Sequence, residues 1–139
     1  MSLKKSNMLY FLHGSDTHKA RKKLHELLDL AEKKRPGAEL FKITTESFSE
    51  GKLEELIVSQ GLFEQKYTVV LDTLFEKKDI REFILAKLQE LADSDQVFLH
   101  LEGKVDVAAL KKVEKFAAKV QEFKKSESVK HRMFDIFLS

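Results

Sequence analysis

The sequence contains no cysteine, which removes disulfides, thiolate nucleophiles and cysteine-ligated zinc at once and is compatible with a reducing compartment. It has almost no net charge: 25 basic against 23 acidic side chains leave +2, so attraction to nucleic acid or membrane would need a local patch. No apolar run approaches the ~20 residues that cross a bilayer, and the opening MSLKKSN lacks the apolar stretch of a secretory signal. These absences point to a cytoplasmic protein with no membrane partner. Residues 1–7 are set aside as a flexible start or a cloning remnant. What is present is 139 residues, 42% of them hydrophobic, enough for one domain with a real core and too few for two comfortable ones.

Strand-like and helical patterns alternate along the chain. Met8 to His13 is apolar until it breaks at Gly14, as a strand buried on both faces does when it feeds a loop. From Thr17, Ala20, Leu24, Leu27, Leu28 and Ala31 recur at helical spacing, and the sole proline, in Arg35-Pro36-Gly37, stops the pattern. AELFKI reads as a second strand, and Phe48 to Val58 as a helix with Leu53, Leu56 and Ile57 inward. YTVVL, from Tyr67, is a third strand. One helix is expected over Lys77–Ala92, on the stripe Ile80, Phe83, Ile84, Leu88 and Leu91. QVFLHL, a helix over Val107–Ala117 and a short strand KVQEF complete the domain, which spans 8–125. Such alternation predicts an α/β fold of three layers, a mainly parallel five-stranded sheet with helices on both faces. Residues 126–139 form a tail that starts polar and ends in MFDIFL; it either docks on the domain or opens a further region.

Parallel sheets bind ligands beyond the carboxyl ends of their strands. A phosphate-binding loop there would need a second glycine followed by Lys-Ser/Thr, whereas Gly14 is followed by Ser15, Asp16, Thr17, His18 and Lys19. A tight turn at Gly14, with Asp16 or Thr17 capping the helix, is the expectation instead. Neither a nucleotide nor any other cofactor is expected. Asp16, Asp72 after the third strand, and Lys124 or Lys125 lie roughly where the receiver domains of two-component signalling keep their acidic residues, phosphoacceptor aspartate and lysine. That alternative makes Asp72 a nucleophile toward a magnesium-held phosphoryl group. It lacks a second acidic residue in the first loop and a Ser or Thr after the fourth strand. The five histidines show no metal-ligand spacing and read as isolated, and no Ser-His-Asp elbow occurs. No catalysis is expected.

Ser59-Gln60-Gly61-Leu62-Phe63 is the stretch that asks for a function. Two large apolar residues follow a glycine in an otherwise polar connection. They can turn inward as a staple between helix and strand, or stand out as a plug for a partner's pocket. In order and texture, MLYFLHGSD, GLFEQKYTVVL, DQVFLHLEGKVD and KVQEFKK resemble the amino-terminal domain of the delta subunit of the bacterial DNA polymerase III clamp loader, over about Met8 to Lys125. The resemblance implies a P-loop-NTPase-like, AAA+-like core without a functional P-loop, acting in DNA replication. It implies that Leu62 and Phe63 enter the pocket of the beta sliding clamp and help open the ring, with Gly61 where serine is frequent. Val58 stands where some relatives carry glutamine, and Gln60 lies two before the leucine. DNA would be reached only through the clamp. Other loader subunits would be partners only with carboxyl-terminal domains present; FDIFLS looks like the start of such a region, in a natural fragment, a truncated gene or an engineered domain.

Overall fold

Every residue of Leu9–His13 except Tyr10 is buried, and a run that is apolar on both faces is satisfied only as a strand covered above and below. This strand, β1, is joined by β2 (Glu39–Ile43), β3 (Tyr67–Asp72), β4 (Val97–Leu101) and β5 (Lys119–Glu122). A computed structural model of the chain describes residues 8–58 and 66–125. It places the strands in the order β2-β3-β4-β1-β5, with all four pairings parallel. Helices α1 (Thr17–Lys34), α2 (Glu50–Val58), α3 (Lys78–Ala86), α4 (Leu88–Asp93) and α5 (Val107–Phe116) make the crossovers. The expected α/β architecture is therefore present.

The two outer layers are unequal. Successive strand residues point to opposite faces, so Val70 packs with Ala20 and Leu24 of α1, while Val69 and Leu71 pack on the other side. There Leu53 and Leu56 of α2, Ile84 of α3, Leu91 of α4 and Val113 of α5 meet Leu9, Phe11 and Phe98. Local chemistry starts the longest helix: the Asp16 carboxylate accepts the Lys19 N–H at 3.1 Å, as the sequence suggests. Asp106 does the same for α5 through the Ala109 N–H, at 2.7 Å.

The helix expected over Lys77–Ala92 is two helices, α3 and α4, preceded by a 3-10 turn at Leu74–Glu76. The break falls at Lys87, whose φ of −104° and ψ of 8° leave the α region. Its N–H turns to the Ile84 carbonyl at 2.9 Å, and its ammonium reaches Glu54 of α2 at 3.0 Å. No proline or glycine marks the break, so a periodicity reading runs straight through it. Asp72, expected just after the third strand, is the last residue of β3.

An all-parallel sheet sends every strand's carboxyl end to one edge. The loops after β1, β3, β4 and β5 collect there, and the amino ends of β3 and β4 lie at the opposite edge.

Candidate functional site

Ser59, Gln60, Gly61, Leu62 and Phe63 lie outside the described residues, and so do residues 1–7 and 126–139. Both flanks of the Leu62-Phe63 segment are described, and both are fixed. Leu53, Leu56 and Ile57 are buried, whereas Val58, the last residue of α2, is 67% exposed. The buried Ser94 hydroxyl donates to the Ile57 carbonyl at 2.7 Å, which ties down the helix end. On the other flank the Tyr67 N–H donates to Gln96 Oε1 at 2.7 Å, and the Lys66 carbonyl accepts the Glu39 N–H at 2.9 Å. Ser94 and Gln96 precede β4, so one short stretch holds both ends. A cleft of about 400 Å³ beside Val58 is lined by Gly51, Glu54, Glu55, Ile57, Lys87 and Glu90. Its rim is acidic, and the hydrogen bond that the Lys87 ammonium donates to Glu54 holds that ammonium above its ordinary pKa.

At the carboxyl edge, Gly14 has a φ of +129°, and a Cβ there would lie 2.1 Å from the Phe123 carbonyl oxygen. The chain leaving β5 is stapled across this loop. Phe123 donates its N–H to the His13 carbonyl at 2.7 Å and accepts the Asp16 N–H at 2.9 Å, and the Gly14 N–H donates to the Gly103 carbonyl at 2.9 Å. In a phosphate-binding loop the corresponding N–H groups point at the ligand. Here two of them are already bonded to carbonyl oxygens.

The receiver alternative fails on topology. Receiver domains have the strand order 2-1-3-4-5, and this sheet has β1 next to β5 and three strands removed from β2. Asp72 is also engaged: Arg21 of α1 grips its two oxygens at 2.9 and 3.0 Å, and Lys42 lies 3.5 Å away. Burial pushes this carboxyl up, but the hydrogen bonds and charge of Arg21, together with Lys42, hold it below its ordinary value. Its surroundings are those of a structural ion pair.

His100 is not isolated, contrary to expectation. It is fully buried between Phe11 and Phe75, with its Nε2 2.7 Å from a Glu102 oxygen that also accepts the Phe75 N–H at 3.0 Å. The signal was in the sequence: residues two apart in a strand share a face. His13, on the same face, is shifted down by burial against the pull of Glu122 and Glu114. Among the described residues no group of three or more His, Asp or Glu comes together as a metal site, and no helix is long and apolar enough to cross a membrane.

No protein-family model matches the chain, and no curated protein sequence does. Among solved structures it is similar to a DNA polymerase III gamma subunit-related protein from Thermotoga maritima, with a TM-score of 0.57 at 14% identity. The likeness covers 87% of this chain and 43% of that one, so the chain spans less than half the length of this neighbour. At that identity the shared property is the fold: a parallel α/β domain like one within that protein.

Proposed function

We propose that the chain is a sliding-clamp-binding domain of the clamp-loader delta type, working by protein–protein contact and without catalysis of its own. One observation carries the reading. In a fold like that of a DNA polymerase III gamma subunit-related protein, the described residues on either side of Leu62 and Phe63 are pinned by Ser94 and Gln96, and Val58 beside them is exposed. Fixed flanks lower the entropy lost when a short segment is gripped by a partner. Two large apolar anchors, fully desolvated in a pocket, supply on the order of 1.5–3 kcal/mol each. The carboxyl edge fits the same reading, because the loop after β1 has its Gly14 and Asp16 N–H groups committed to carbonyls and closed over by Phe123.

The test is capture of the intact chain on an immobilised bacterial beta clamp. Wild type is retained, and the double variant Leu62→Ala, Phe63→Ala is lost with an unchanged thermal unfolding midpoint. Equal retention of both proteins, or a wild type that never binds while the double variant melts far lower, overturns the proposal.

A further inference from the structure

The carboxyl edge holds a second feature, independent of the Leu62-Phe63 segment. The connection after β1 runs to α1 on one face of the sheet, and the connection after its neighbour β4 runs to α5 on the other. Between two adjacent strands whose connections part in this way, open parallel sheets form a crevice suited to ligands. Here the crevice is real: a cleft of about 860 Å³ whose lining includes Gly14, Ser15, Lys104, Lys124, Lys125 and Glu122.

Its charge is one-sided. Three exposed lysines face a single carboxylate, and among the described residues none of the three is in an ion pair, unlike Lys23, Lys42, Lys52 and Lys87. The nearby Asp106 is engaged by Arg81 at 3.7 Å. The backbone that carries Lys124 and Lys125 is also held, since the Lys125 N–H donates to the Ser15 hydroxyl at 3.1 Å and Phe123 is bonded across the same loop. The staple that closes the loop after β1 thereby sets Lys124 and Lys125 on the rim.

We propose that this cleft binds the phosphodiester backbone of a nucleic acid strand, through Lys104, Lys124 and Lys125. A free nucleoside triphosphate shares the phosphate chemistry, but it needs a cradle of free backbone N–H groups, and those of Gly14 and Asp16 are taken. A strand backbone needs only lysine side chains, which act as point charges on phosphates without reading sequence.

The experiment titrates the full chain into a fluorescein-labelled oligothymidylate, reading anisotropy at two salt concentrations. Three phosphate contacts on a single strand give a log–log salt slope of about −2, so affinity falls roughly twentyfold between about 50 and 200 mM salt. The triple variant Lys104→Ala, Lys124→Ala, Lys125→Ala loses binding and flattens the slope. A matched variant at the amino edge, Lys33→Ala, Lys34→Ala, Lys66→Ala, retains both. Magnesium-ATP at matched ionic strength leaves the strand bound. All six positions are exposed, and unchanged unfolding midpoints verify the fold. No binding at low salt, equal loss in the two variants, or displacement of the strand by ATP overturns the proposal. None of these outcomes bears on clamp capture, whose proposed residues, Leu62 and Phe63, are not among those substituted.

Discussion

Replacing glycines by alanine, one at a time, separates backbone strain from lack of space and tests the staple over the loop after β1. Gly103 has open surroundings and a φ outside the left-handed region, so Gly103→Ala is neutral or stabilising by up to about 1 kcal/mol. Gly37 has equally open surroundings but a φ of +87°, and Gly37→Ala costs about 1–2 kcal/mol from backbone strain alone. Gly14 carries the strain of a φ of +129° and, in addition, has no room. A Cβ would sit 2.1 Å from the Phe123 oxygen and 2.7 Å from its nitrogen, and backbone cannot rotate away as the end of a side chain does. The chain leaving β5 has to lift. Lifting it breaks the Asp16–Phe123 and Phe123–His13 bonds and that from Lys125 to Ser15, each contributing about 1 kcal/mol net. Gly14→Ala therefore costs about 4 kcal/mol or more, a large part of the 5–15 kcal/mol typical of a domain. Urea unfolding followed by circular dichroism gives the three values, with an unchanged denaturant slope confirming a common mechanism. A Gly14→Ala cost within about 1 kcal/mol of the Gly37→Ala cost would refute the close approach of Phe123, and with it the placement of Lys124 and Lys125.

Asp72→Asn removes the charge gripped by Arg21 and costs about 1–2 kcal/mol, a modest figure because Arg21 is 43% exposed. Since the folded-state pKa of Asp72 lies below its ordinary 3.8, the contribution is complete above that value and is lost as pH falls through the lower, folded one. Urea midpoints from about pH 5 down to 2 should therefore fall more steeply for wild type than for Asp72→Asn; parallel curves would mean the pair adds nothing. Ser94→Ala removes the hydroxyl that donates to the Ile57 carbonyl, costing about 1–3 kcal/mol. Hydrogen exchange in the last turn of α2 should speed up, and unchanged protection there would show that Ser94 does not hold that flank. Loss of clamp retention in the Leu62→Ala, Phe63→Ala protein is the functional counterpart.

Much of this molecule is written in short-range terms. Alternating apolar and helical periods gave the order of strands and helices, and Asp16 and Arg35-Pro36-Gly37 set the limits of α1, because strand burial, helix capping and chain reversal depend on neighbouring residues. Leu62 and Phe63 stand out in the sequence as apolar residues in a polar connection, without any knowledge of the flanks that Ser94 and Gln96 pin. The break at Lys87 left no local mark: Ile84 and Leu88 on either side of it enter the same core, and Lys87 itself pairs with Glu54 on another helix.

By itself the sequence determined a parallel α/β domain and singled out the apolar pair. Only the tertiary structure decided the strand order, which separates this sheet from a receiver domain that has the same succession of elements. It alone joined Asp72 to Arg21 across 51 residues and Lys125 to Ser15 across 110. Which strands become neighbours is set by how the whole core closes, and no window of local sequence contains that information.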